Sequence, residues 1–266
     1  MSTLLLRLAG PMQSWGMRGR FTRRTTELQP TKSGVVGLLA AAMGRRRTDP
    51  IEDLAQLRMG VRIEQPGRLM RDFQTATRPG VTAPLSYRYY LSDAIFLAAV
   101  EGPEPLVEGI DSALTTPKFP LYLGRRAFPP AGRLSLGVRP EAMDEALDTF
   151  PWQASPLVKK SNHSPQVSLR VVRDISADED PTDVHEDVPL SFDPNRRLFG
   201  SRPVVEYFVR LPNPVAEKPE SADRAHGVSI GSTSPVDHRA SSRGGGSART
   251  HDPVGFLGGP NVSQQM

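Results

Sequence analysis

The chain has 266 residues, with 33 Lys+Arg, 29 Asp+Glu, five His, 26 Pro, 23 Gly and no Cys. That length can bury a substantial core, while zero Cys excludes disulfide scaffolds, thiolate metal sites and a cysteine nucleophile. The net charge of +4 conceals an imbalance, because residues 1–90 hold 15 basic and 6 acidic side chains and the remainder 18 and 23.

Ser2–Ala9 (STLLLRLA) reads as a buried strand, broken by Gly10-Pro11. Residues 10–28 are dense in Gly, Arg and Thr without a period, a loop of the length that usually carries function or stays disordered. Val35, Val36, Leu38, Leu39 and Met43 then recur at helical spacing, with Thr31 or Ser33 as cap and Gly44 as stop. So apolar a helix belongs against a sheet. A short helical piece follows near Ile51–Leu57. Arg58–Glu64 alternates as a strand, Pro66-Gly67 turns, and Arg68–Gln74 returns. Thr75–Ser86, with Pro79-Gly80 and Pro84, is a hairpin tip or a flexible loop. Tyr87–Val100 reads as one strong strand, Leu106–Leu114 as an amphipathic helix, and Phe119–Leu123 as a short strand.

Strand, helix, strand, strand, helix, strand is the order of a ferredoxin-like (RRM-like, βαββαβ) α+β domain, here residues 1–128. Residues 129–211 form a smaller β-rich part, with strands at Arg133–Val138, Gln166–Asp174 and Val204–Leu211 and one helix near Glu141–Phe150. In residues 212–266, 22 of 55 positions are Gly, Pro or Ser, so a disordered tail is expected. Val158–Gln166 reads as a polar loop. Asp174–Asp187, with seven acids, reads as an exposed loop and not a site.

Residues 1–50 carry nine basic side chains, eight of them Arg, against Glu27 and Asp49 alone. The planar guanidinium fork suits phosphate and stacks on bases, although a plainly solvated face is equally compatible. No GxGxxG, P-loop, HExxH or GxSxG is present, and no metal or cofactor is expected. His163 with Lys159 or Lys160 allows metal-independent RNA cleavage, or is an ordinary polar loop. Three segments suit binding. In Leu5–Gly16, Trp15 offers a stacking face or serves as a lid over the core. In Pro30–Gly37, Thr31, Lys32 and Ser33 open a helix whose N-terminus can hold a phosphate or is simply capped. In Tyr122–Arg126 (YLGRR), a Gly permits close backbone approach beside an aromatic ring and two guanidinium groups. No run approaches the roughly 18–20 apolar residues of a membrane span, and the start lacks the basic region of a secretory leader. A soluble cytoplasmic protein away from membranes is the expectation.

Taken together, LRLAGPMQSWG at 6–16, PTKSGVVGLLAAAMG at 30–44 and YLGRR at 122–126 resemble the CasD subunits of type I-E CRISPR Cascade. Those belong to the repeat-associated RNA-binding superfamily known as RAMP. Residues 71–75, 87–94 and 197–202 follow in matching order, so the resemblance spans about residues 1–210. It implies a non-catalytic antiviral scaffold that holds the 5′ handle of the guide crRNA beside the Cascade large subunit and first backbone subunit, meeting target DNA only through the complex. It also implies a hairpin thumb near residues 75–87. By motif match, Met12, Gln13, Ser14, Trp15, Lys32, Ser33, Arg71, Arg88, Tyr122, Gly124, Arg125 and Arg126 would line the handle groove. In a related subtype similar subunits cut the guide precursor, which keeps the His163 alternative open; a generic RNA chaperone is the third reading.

Overall fold

The computed structural model describes residues 1–16, 23–75, 80 and 85–216. In chain order these form β1 (Ser2–Ala9), β2 (Met12–Gln13), β3 (Arg23–Arg24), α1 (Lys32–Ala42), α2 (Glu52–Ala55) and β4 (Arg58–Gln65). There follow β5 (Arg68–Gln74), β6 (Ser86–Ser92), β7 (Ile95–Gly102), α3 (Glu104–Thr115) and β8 (Ser135–Arg139). The last elements are α4 (Met143–Thr149), α5 (Pro156–Ser161), β9 (Gln166–Asp174), β10 (Asp183–Ser191) and β11 (Leu198–Pro212).

The result is an α+β fold dominated by antiparallel sheet. Seven strands run in the order β10-β11-β9-β4-β7-β1-β8, every neighbouring pair antiparallel. β1 lies inside this sheet and is covered on both faces, which explains its unbroken leucines. Leu4, Leu6 and Leu8 meet Phe96, Ala98 and the apolar faces of α1 and α3. Leu5 points the other way, with Leu97 and Ala99, onto Met143, Ala146 and Leu147 of α4. A second sheet holds β2, β6 and β3, with β5 paired to β6 along its length.

Buried charge is satisfied rather than avoided. Arg62 of β4 is 0% exposed, bonds Glu64 at 2.5 Å, and donates to the carbonyls of Leu147, Phe150 and Pro151 at the end of α4. A helix C-terminus exposes orphan carbonyls with negative partial charge, so an inserted guanidinium closes it.

Several expectations change. The single strand over Tyr87–Val100 is two strands in two sheets, parted at Asp93, whose φ of 53° turns the chain. Phe119–Leu123 is not a strand. The N–H groups of Lys118 and Phe119 bond the carbonyls of Ala42 and Ala41, and Leu123 bonds Phe128, so no ladder can form. Residues 158–161 lie in α5, capped by the Ser155 hydroxyl. The acidic stretch is not simply an exposed loop, because Asp174 and Asp187 are buried and residues 183–187 belong to β10. The first residues assigned to the tail belong to the fold: β11 runs to Pro212, and the buried Asn213 amide donates to the carbonyls of Lys159 and Asn162. Residues 217–266 lie outside the described residues, as does most of the tip between β5 and β6. Among the described residues, no helix is long and apolar enough to cross a membrane.

Candidate nucleic-acid interface

Residues 13–15 turn inward. The Gln13 amide donates to the carbonyls of Ala94 at 2.7 Å and Leu8 at 3.2 Å, and its oxygen accepts from the Trp15 indole N–H at 3.0 Å. With its one polar atom satisfied, Trp15 sits 1% exposed against α1. Gly34 makes the room, since a Cβ there would lie 2.7 Å from the indole. The stacking expectation for Trp15 is therefore corrected: the ring is the lid over the core. Ser14 is buried too, and Met12 is half-buried against the core.

Lys32 is likewise spent internally. Its ammonium bonds Asp174 at 3.0 Å, and its backbone N–H donates to Asp187 at 2.7 Å. Arg202 grips Asp187 at 2.6 and 3.1 Å and also pairs with Asp174, which accepts a third bond from the Met59 N–H. Burial is the largest influence on Asp174 and pushes its pKa up, but Arg202 and Lys32 together hold it below the usual carboxylate value. The N-terminus of α1 thus holds the chain's own carboxylate, not an external phosphate. Ser33 is buried, with its hydroxyl 3.3 Å from that of Thr31.

The YLGRR loop packs directly on residues 14–16. The Ser14 N–H donates to Leu123 at 3.1 Å. Gly124, at φ +85°, comes so near that a Cβ would lie 1.7 Å from the Ser14 carbonyl oxygen. The close approach expected of this glycine is real, and its partner is the protein itself. The next two side chains diverge. Arg125 is half-buried over the Tyr90 ring at 4.6 Å, with Phe128 edge-on to Tyr90 at 5.1 Å. Arg126 is exposed.

These segments wall a cleft of about 910 Å³ between α1 and residues 119–126. Arg45, Arg46, Arg47, Arg126 and Arg197 line it, together with Phe119, Tyr122 and Phe192, and no Asp or Glu is among the described lining residues. Ser14, Trp15, Ser33 and Gly124 contribute to the wall. Arg45 is forked onto Asp53 at 2.5 Å, whereas Arg46 and Arg47 are exposed. The Arg45–Arg47 run was visible as charge just past the Gly44 stop, but nothing local aimed it at the YLGRR loop.

Of the other expected residues, Arg71 is exposed on β5, its guanidinium 5.5 Å from the Tyr87 ring centre. It shares one face of the β5–β6 ribbon with the exposed Leu69 and Phe73. Arg88 is half-buried on the opposite face, paired in register with Asp72. The nuclease candidates do not converge on this cleft. Lys159 lies 5.9 Å from the Trp152 ring centre, its pKa lowered chiefly by burial, and His163 is exposed beyond α5.

The profile of the family described as CRISPR-associated protein (Cas_Cas5) matches residues 3–205. The CRISPR system Cascade subunit CasD of Escherichia coli (strain K12) is 33% identical over 158 residues, covering 51% of this chain and 70% of that one. A solved chain from a CRISPR RNA-guided surveillance complex superposes with a TM-score of 0.65 at 32% identity, over 82% of this chain and 95% of that chain. A crystal structure of a Cas protein gives a TM-score of 0.62 at 39% identity, over 79% and 95%.

Proposed function

This chain belongs to the Cas5 family of CRISPR-associated proteins, and from that premise we propose that it is a non-catalytic RNA-binding subunit of a Cascade-type surveillance complex. It holds the unpaired 5′ handle of the crRNA and contacts the large and backbone subunits in antiviral defence. The observation that carries this reading is the acid-free, five-arginine cleft beside Tyr122 and Phe119. Unpaired RNA is held by phosphate contacts with guanidinium groups and by bases stacked on rings, and this cleft offers both.

The fold supports the same reading. β1, α1, β4, β7, α3 and β8 follow the βαββαβ order, and the sheet order β4-β7-β1-β8 suits a ferredoxin-like domain. The β5–β6 ribbon, extending toward residues 75–87, serves as the thumb. With β8 as the last strand of the ferredoxin-like domain, the smaller β-rich part starts after Arg139, later than the expected 129, and extends the sheet through the pairing of β9 with β4. Within the expected residue set, Tyr122, Arg126, Arg71 and the cleft-lining Ser14 and Gly124 touch RNA. Gln13, Trp15 and Lys32 build the wall behind them.

The test is binding of a labelled handle-length RNA to the purified chain across a salt series. Changing Arg46, Arg47 and Arg126 together to Ala weakens binding, and the slope of log K against log salt flattens by about 2, at roughly 0.7 per lost phosphate contact. An unchanged affinity and slope would remove the cleft from the proposal. Site-specific cleavage of a repeat RNA in EDTA would replace the scaffold by the nuclease reading.

A further inference from the structure

The β10–β11 hairpin overhangs the rest of its sheet. β9 ends at Asp174, opposite Val204, so residues 198–203 of β11 have no partner on β9. β10 is an outer strand, and among the described strands it pairs with β11 alone. Their ladder slips twice, between His185 and Val188 and again between Pro189 and Ser191. Such bulges bend a strand, so pairing alone does not fix where this hairpin points. Residues 192–197, which join the two strands, nevertheless bring Phe192, Pro194 and Arg197 to the wall of the cleft. There the Phe192 ring lies 3.6 Å from where a Cβ on Gly37 of α1 would stand.

The hold on the overhang is at its root. At the first bulge Asp187 of β10 points inward, accepting from the Lys32 backbone N–H of α1 and twice from Arg202 of β11. Arg202 also reaches Asp174 at the end of β9, which takes the Lys32 ammonium and the Met59 N–H of β4 as well. All four charged side chains are buried, two of each sign. Apolar side chains of similar volume often stabilise such a place as well or better, so stability alone explains little here. What forked, charge-assisted bonds supply is a fixed orientation of the elements that carry them.

We infer that Asp187 and Arg202 are positioning residues for the cleft. They set the overhanging hairpin against α1, and this seats Phe192 on Gly37 and delivers Arg197 to the wall. Neither is among the described residues that line the cleft. The identity of the ligand as RNA rests on the function proposed above, while the hold on the hairpin rests on the hydrogen bonds alone.

Amide hydrogen exchange of the free full chain and anisotropy of a labelled handle-length RNA are read on the same set of proteins. The set is the parent, Asp187→Asn, Arg202→Lys, Arg197→Gln and the double variant Asp187→Asn with Arg197→Gln. Both root variants speed exchange across residues 186–203 about tenfold, the loss of roughly one charge-assisted bond, and leave β1 and β7 at parent rates. Arg197→Gln weakens RNA binding about tenfold in the parent but hardly at all beside Asp187→Asn, since the side chain has already left the wall. Asp187→Asn itself flattens the slope of log K against log salt by roughly 0.7, one phosphate contact, which a mere loss of stability would not do. Unchanged exchange in both root variants overturns the inference, with or without RNA. Exchange that rises equally in β1, β7 and the hairpin also overturns it, because the four charges then only stabilise the fold. Additive effects of Asp187→Asn and Arg197→Gln on RNA affinity overturn the positioning role while leaving the guide-binding cleft standing. Faster exchange confined to the hairpin in a chain that binds no RNA upholds the hold on the hairpin and sinks the guide reading.

Discussion

Replacing Gly124 by Ala puts a methyl group where the structure has no space. The backbone there has φ +85°, a region that costs an L-residue about 1 kcal/mol or more. The new Cβ would stand 1.7 Å from the Ser14 carbonyl oxygen, whereas real Cβ contacts stop near 3.0 Å, so the loop must retreat by more than about 1 Å. That retreat breaks the 3.1 Å bond from the Ser14 N–H to Leu123, in a buried setting worth roughly 1–3 kcal/mol. The sum is about 2–4 kcal/mol. Gly132→Ala is the matched comparison, since Gly132 has φ +82° but nothing within 4 Å of a Cβ. It carries the backbone strain and the same unfolded-state entropy gain without the clash. In an ordered unit of this size each kcal/mol moves the melting midpoint by about 2–4 °C. Differential scanning calorimetry therefore places Gly124→Ala several degrees below Gly132→Ala, and RNA binding weakens because Arg125 and Arg126 travel with the loop. Equal midpoints for the two variants would refute the packing of YLGRR on residues 14–16.

Other outcomes follow from the buried groups. Lys32→Met destabilises by about 2–4 kcal/mol in chemical denaturation, since Asp174 loses a buried partner while keeping Arg202. The salt slope of RNA binding stays at the parent value, and a flatter slope would show Lys32 reaching RNA. Trp15→Ala costs about 3–5 kcal/mol, as large buried aromatic truncations do. A variant keeping Trp15 as its sole tryptophan shows little iodide quenching with or without RNA, and strong quenching would contradict burial of the ring. Because the folded Asp174 pKa is depressed, its stabilisation is present above the unfolded carboxylate pKa and is lost as pH falls through the lower folded value. Asp174→Asn removes that part of the acid slope in urea titrations, and an unchanged slope would deny the coupling.

How much of this was legible in the sequence depended on distance along the chain. β5 and β9 match their expected limits, Arg68–Gln74 and Gln166–Asp174, because pattern and flanking turns are local. α1 was readable from its spacing and its Thr31 cap. Lys32 was not, because the carboxylates that claim it lie 142 and 155 residues away and looked like an exposed acidic loop. Trp15 on a Gly- and Arg-rich segment resembles an exposed ring until Gln13 satisfies its N–H and Gly34 opens a slot. Phe119–Leu123 has strand composition, but the carbonyls at the end of α1 claim the N–H groups of Lys118 and Phe119. Composition ranks what a segment prefers, and long-range hydrogen-bond demand decides what it does.

The central claim is that the chain grips an unpaired guide segment and leaves it whole. Mixing the purified protein with labelled crRNA in EDTA, then reading anisotropy and RNA length from the same samples, tests both halves together. Saturable binding that weakens steeply with salt, with full-length RNA recovered, is the predicted result. Shortened RNA, or no binding at low salt, would contradict it.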